Sequence, residues 1–212
     1  DGRQPQMCIR DRNGSRQYAA AAGTINLANQ SFTVAVWAQR TRTATQEFLL
    51  SQGTSGSANQ TLQVGFRSND NFTCAFWAND LDTTTATTDT NWHHYVFVYD
   101  GSRIRVFFDD VEQVFGEKCP VMHSGSLTSA GGSLFVGSGG DSSSQFSGCI
   151  DEVKIYDRAL TPDEITTGFE LWHADFHCRT AQYIYVKIPG ELRSDPANRL
   201  LVTVTGDNNY TY

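Results

Sequence analysis

The sequence predicts an all-β protein, a two-sheet antiparallel sandwich with one short helix near 161–168. Three observations carry that expectation. Short runs rich in β-branched and aromatic residues recur along the 212 residues, separated by Gly, Asn, Ser, Asp and Thr. The spacing of about 8–12 residues is that of sandwiches and barrels. Several runs alternate imperfectly, with apolar residues on both faces, as strands covered on two sides do.

The strand runs are 31–39, 46–52, 60–67, 72–78, 91–100, 103–109, 111–115, 133–138 and 145–157. Asp100-Gly101 between two of them marks a hairpin, since the central turn positions favour positive φ. The loops 53–59, 79–91 and 139–145 are small and polar and read as surface connections. One helix start stands out: Thr161 can cap, Pro162 suits the first helical position, and Glu164 closes a capping box. Gly168 is the expected stop. The last 43 positions, 170–212, hold two further strand signals at 181–188 and 198–205, read as a hairpin extension or the start of a second β module.

Residues 1–12 stand apart. They carry neither strand alternation nor a helical face, and Met7-Cys8-Ile9-Arg10-Asp11-Arg12 resembles a translated sequencing adapter. The expected domain therefore begins at residue 13 and runs to 169, with its first strand truncated and the rest of a larger multidomain protein outside it.

Sixteen basic against 23 acidic residues give a net charge of −7. That argues against a nucleic-acid partner, which needs a basic face. No apolar run approaches the length of a membrane span, so membrane insertion is not expected. Of five cysteines, Cys8 lies in the adapter-like run. The other four allow three pairings, with Cys119–Cys149 favoured. Five Asn-x-Ser/Thr sequons begin at Asn13, Asn29, Asn59, Asn71 and Asn209, where about two are expected by chance. Sequons and cysteines together point to an oxidising, extracellular or cell-surface setting.

Three stretches carry a family resemblance. They are Ser31-Phe32-Thr33-Val34-Ala35-Val36-Trp37, Trp92-His93-His94-Tyr95-Val96-Phe97-Val98-Tyr99-Asp100-Gly101, and Phe146-Ser147-Gly148-Cys149-Ile150-Asp151-Glu152-Val153-Lys154-Ile155-Tyr156-Asp157-Arg158-Ala159-Leu160-Thr161-Pro162-Asp163-Glu164-Ile165. In order and spacing they resemble the LamG-like jelly rolls of the concanavalin A-like lectin/glucanase superfamily. Asp110 departs from the pattern, which puts Gly there. The resemblance implies a two-sheet antiparallel jelly roll that binds glycans or glycoproteins outside the cell, often with calcium. The competing implication is a structural or adhesive domain without sugar affinity. Residues 182–190 are faintly similar to a segment of discoidin-like sandwiches, which also bind glycans.

The resemblance also implies site residues. In glucanase relatives an aspartate matching Asp151 binds calcium together with backbone carbonyls of the N-terminal strand. Asp141, in a Gly-rich loop, is a second oxygen donor. Calcium takes six to eight oxygens. His93 and His94 are adjacent in a strand, so they face opposite ways and do not chelate one ion. His173, Asp175 and His177 alternate, which would spread them over about 13 Å in a strand, too far for one metal.

Trp37 and Trp92 fall in scaffold motifs. Trp77, with Asn79, Asp80 and Asp82 at a loop mouth, combines an aromatic platform with hydrogen-bonding groups and is the candidate glycan site. Core packing of Trp77 is the competing reading. Catalysis finds no support. The Glu-x-Asp-x-x-Glu strand motif of related glucanases is absent, as are a Gly-x-Ser-x-Gly elbow and a His-Glu-x-x-His pair.

Overall fold

The computed structural model describes residues 9–13, 18–21, 25–53, 57–113, 127, 133–139, 144–173 and 202–205; for 9–13, 21, 170–173 and 202–205 the backbone alone is described. Its strands are β1 (Ile9–Asn13), β2 (Tyr18–Ala21), β3 (Phe32–Arg40), β4 (Glu47–Gly53), β5 (Thr61–Phe66), β6 (Asn71–Ala75), β7 (Asp80–Ala86), β8 (Trp92–Tyr99), β9 (Ile104–Phe108), β10 (Val111–Glu112), β11 (Leu134–Val136), β12 (Ser147–Tyr156) and β13 (Val202–Thr205). One helix, α1, spans Pro162–His173. The strands form two antiparallel sheets, ordered β1-β12-β3-β8-β9-β10 and β13-β2-β11-β4-β5-β6-β7. This is the expected jelly-roll sandwich.

Between the sheets lies an apolar core. Phe32, Val34, Val36 and Ala38 of β3 face Leu50, Leu62, Val64, Phe66 and Phe72 of the other sheet. Its centre is aromatic: Phe72 stacks on Tyr95 with ring centroids 5.3 Å apart, and both make edge contacts with Phe66 and Phe108. Such pairings add to area burial.

A second apolar cluster covers the outer face of the first sheet, where Leu160 and Ile165 of the α1 segment pack on Ala35, Val96, Val98 and Phe107. Alternation along β3 and β8 therefore serves both layers. The capping box forms as the sequence predicts. Glu164 N donates to Thr161 Oγ1 at 3.3 Å, and Thr161 N donates to Glu164 Oε2 at 2.9 Å. Arg158 grips the same carboxylate with two hydrogen bonds of 2.7 and 2.8 Å, which holds its pKa down to about 2. Thr33 of β3 donates to Arg158 O and accepts from Leu160 N, tying the segment to the sheet. The helix does not stop at Gly168. Phe169, one residue on, stacks on Trp37 at 5.7 Å, a contact comparable in size to a mid-helix glycine's cost of about 1 kcal/mol.

Geometry demands glycine at several positions, Gly101 and Gly148 among them. Gly101 (φ 97°) opens the β8–β9 turn, and Asp100 Oδ1 accepts from Ser102 and Arg103 N–H. Gly148 has φ 142°, and a Cβ there would collide with the Gln39 carbonyl. The β9–β10 turn does without glycine. Asp109 (φ 47°) and Asp110 (φ 65°) are both left-handed, a type I′ geometry that Asp tolerates.

β7 and β1 differ from the sequence expectation, as does β2, which lies outside the expected strand runs, whereas β13 falls within the run expected at 198–205. The loop predicted over 79–91 contains β7, whose Leu81 and Thr83 point inward. An edge strand needs only one buried face, and its run of β-branched threonines supplies extended propensity despite polar composition. β1 falls in the segment read as foreign and pairs with β12, Arg12 opposite Gly148. Ladder hydrogen bonds come from the backbone, so this edge place makes little demand on side chains. β13 pairs with β2, Val202 opposite Ala21, which joins part of the tail to the sandwich.

A buried ion cluster ties the two sheets. Arg40 ends β3, and its side chain has no exposed surface. It donates to Glu47 Oε1 of β4 at 3.0 Å, to Asp70 Oδ1 at 2.8 Å and to the Thr87 carbonyl at 2.7 Å. Its guanidinium lies 4.0 Å from the centre of the Phe66 ring. Glu47, equally buried, also accepts from Arg42 and from Ser147 N. Removing one member of such a cluster strands the others. Arg40→Met is expected to lose about 3–5 kcal/mol of unfolding free energy, measured by urea denaturation. The double variant Arg40→Met/Glu47→Met should recover part of that loss. A single-variant loss under about 1 kcal/mol would show that the cluster carries no stability.

Candidate functional site

The residues proposed for glycan contact are brought together at one end of the β6–β7 hairpin. Trp77 and Ala78 form its turn, with φ of 53° and 58°. Left-handed backbone is costly for a bulky residue, and such strain concentrates at functional sites. The turn is held from two sides: Phe76 N donates to Asn79 O at 3.2 Å, and Asn59 N donates to Trp77 O at 3.1 Å. Asn79 Nδ2 donates to Asn59 Oδ1 at 2.6 Å. Trp77 is half-buried.

Asp80 and Asp82 open β7 and share its outward face. Arg67 bridges them, Nη2 to Asp80 at 2.7 Å and Nε to Asp82 at 3.1 Å. Both carboxylates are exposed, so a ligand meets a clamped polar rim in which one guanidinium faces two carboxyl groups. Asn59 and Arg67 join the site although sequence reasoning did not select them. Their signal was weak, because each lies in a different strand connection that only sheet pairing brings to β7.

Trp37 and Trp92 lie in strands of the first sheet. Trp37 stacks on His94 at 5.2 Å and on Phe169 at 5.7 Å, and His94 and Phe169 are 6.0 Å apart, so the three rings form one cluster. Trp92 begins β8. His93 and His94 do face opposite ways. His94 is buried beside Trp37, and burial drives its pKa down to about 3. His93 Nδ1 lies 2.6 Å from Asp109 Oδ2, with Asp89 on the other ring nitrogen at 3.6 Å. The bond to Asp109 raises the His93 pKa against the opposing effect of burial, and it helps hold Asp109 in its ionised form.

Asp151 sits opposite Trp37 across the β12–β3 ladder, so the two side chains share the helix-covered face. Asp151 Oδ1 accepts from Glu152 N at 2.8 Å, while Oδ2 is buried without a hydrogen-bond partner. Burial pushes the carboxyl up to about 7. Among the described residues no group of three or more His, Cys, Asp or Glu is placed to hold a metal. β1 does run beside Asp151, as the calcium expectation requires. Asp151 supplies one carboxyl among the described residues there, where calcium takes six to eight oxygens. Asp141 lies outside the described residues, as do Asp175 and His177. Among the described residues no disulfide forms; Cys119 lies outside them. Cys74 is buried in the core, where desolvation raises its thiol pKa.

The family model for the concanavalin A-like lectin/glucanases superfamily matches residues 13–166, and the chain belongs to that superfamily. No curated protein matches the sequence significantly. Among solved structures, it resembles domain 4 of AbnA, a GH43 extracellular arabinanase from Geobacillus stearothermophilus in complex with arabinotriose; the TM-score is 0.58 at 21% identity, with 74% of each chain covered. A Bacteroides ovatus protein described as carbohydrate binding gives 0.52 at 13%, covering 77% of this chain and 47% of that one. Trypanosoma rangeli sialidase in complex with 2,3-difluorosialic acid gives 0.51 at 18%, covering 70% and 24%. This chain thus spans about half and about a quarter of the latter two. At these identities the likeness is one of fold, and the fold is common to carbohydrate-binding proteins and glycosidases. No described helix is long and apolar enough to cross a membrane.

Two pH dependences follow. The folded Asp151 carboxyl holds its proton far more tightly than an unfolded one. Its contribution is therefore full below about pH 4 and disappears as pH rises to about 7. Asp151→Asn should be more thermally stable than wild type at pH 8 and similar to it at pH 4. Equal melting temperatures at pH 8 would mean the carboxyl is not held neutral. The His93–Asp109 pair behaves in the same direction at its upper end. The raised histidine stabilises fully below its unfolded value near 6.5 and loses that contribution as pH climbs through the folded value. The lowered Asp109 stabilises above about pH 4 and loses its share as pH falls. Asp109→Asn should cost most near pH 5–6 in a melting series, and a cost independent of pH would show that the pair is not ionic.

Proposed function

We propose that the chain is a non-catalytic recognition module that binds an oligosaccharide at the β6–β7 tip, with Trp77 as the stacking platform. The carrying observation is the left-handed Trp77–Ala78 turn. It holds a half-buried tryptophan at a hairpin end beside the Asn59–Asn79 pair and the Arg67–Asp80–Asp82 clamp. A sugar presents C–H groups on its faces and hydroxyls on its rim, which suits an aromatic face bordered by amide, guanidinium and carboxylate groups.

The superfamily and the carbohydrate-related neighbours support this reading. Because the most similar fold among those described was solved with arabinotriose, arabino-oligosaccharides are the first ligand class to test. A glycosidase needs two carboxyl groups free to act on one bond. At this tip both carboxylates are tied to Arg67, which favours holding a sugar over cleaving it. An extracellular or surface setting, in a larger protein, is part of the proposal and is supported by the sequons. Calcium is not needed for a site built this way.

Titration calorimetry with arabino-oligosaccharides, backed by a glycan array, tests the proposal. Wild type should bind, with equal affinity in calcium and in chelator. Trp77→Ala should bind at least about tenfold more weakly with unchanged melting temperature, as the loss of one stacking contact implies. Unchanged binding by Trp77→Ala would place the site elsewhere. Binding lost in chelator would return Asp151 to the ligand site. No binding to any glycan would favour the adhesive reading, and release of reducing sugar would favour a glycosidase.

A further inference from the structure

The five sequons are not equivalent once the chain is folded. Asn29 lies in the turn of residues 28–30 that leads into β3. Its backbone is anchored, N–H to the Leu127 carbonyl at 2.7 Å, while Ala28 N donates to Asn26 Oδ1 at 2.9 Å. Asn29 has a left-handed φ of 58° and is exposed, and its side-chain amide engages in no hydrogen bond. Its hydroxyl partner Ser31 precedes β3 and is half-buried.

The other two sequons with described side chains differ. Asn59 is half-buried, its Oδ1 taken by Asn79. Its hydroxyl partner Thr61 is 1% exposed in β5. Asn71 begins β6, between β5 and β7, and its partner Thr73 is fully buried. At both, the asparagine is half-buried and its hydroxyl partner lies inside the sheet, whereas Asn29 is exposed.

We infer that Asn29 is a site of N-glycosylation in this fold, and that Asn59 and Asn71 are not. In the modification, Asn29 Nδ2 forms a bond to the anomeric carbon of a lipid-linked oligosaccharide pyrophosphate. The bond from that carbon to the pyrophosphate oxygen breaks, the lipid pyrophosphate leaves, and Nδ2 gives up one proton. The glycan then sits at the entry to β3, anchored by a turn whose backbone is already hydrogen-bonded.

The test is expression of the full chain behind a secretion signal in yeast. Enzymatic glycan release in heavy-oxygen water marks each formerly occupied asparagine for peptide mass mapping. Secreted and microsome-retained chains are mapped alike, so a secretion defect still gives a reading. Asn29 is expected to be mostly occupied, with Asn59 and Asn71 mostly empty. Asn29→Gln should remove one glycan's mass shift and leave the melting temperature at that of the enzymatically deglycosylated protein. The double variant Asn59→Gln/Asn71→Gln should keep the shift. An empty Asn29, or occupancy of Asn59 or Asn71 equal to that of Asn29, overturns the inference.

Discussion

The sandwich turns on the buried Arg40 cluster. A guanidinium without exposed surface is tolerated only when its donors are satisfied, and here they reach β4, the β5–β6 turn and the end of β7. One side chain thus links the sheet that carries it to three elements of the other. The linkage fixes how the β6–β7 hairpin lies against the core. In a strand, a register slip of one residue turns every side chain to the opposite face. Asp80 and Asp82 face outward toward Arg67 because Leu81 and Thr83 are held inward.

The outer face of the first sheet is the second organising layer. α1 is too short to be stable by propensity alone, and it is secured by its capping box, by the bonds through Thr33 and by apolar contacts on β3 and β8. Beneath its far end runs a row from His94 through Trp37 to Asp151. Burial favours the neutral form of both flanking groups, lowering the histidine's pKa and raising the aspartate's. The helix therefore covers a face that tolerates little charge. The tip proposed for sugar binding lies on the other sheet, away from the helix-covered face.

Much of the fold was legible in the sequence. Nine strand runs, the hairpin glycine at 101 and the capping box all rest on local rules: alternation, turn chemistry and end-group satisfaction. The elements that were misread are those whose stability comes from neighbours. β7 looks like a polar loop because an edge strand buries little. The helix outruns Gly168 because Phe169 finds Trp37. β1 takes an edge place that backbone pairing alone can fill.

The candidate site divides the same way. Trp77, Asn79, Asp80 and Asp82 are contiguous, so chain order alone brought them to notice as an aromatic platform with polar company. That the tryptophan sits in a left-handed turn, that Arg67 bridges the two carboxylates, and that Asn59 closes the turn were decided by pairing among β5, β6 and β7. Likewise the sequence marked Asp151 for its motif, and the structure buried it beside Trp37. Local pattern determined an all-β sandwich, and the resemblance of three motifs pointed to this superfamily. Only the tertiary structure determined which polar groups were left for a ligand, because hydrogen-bond and charge partners distant in sequence are set by strand register.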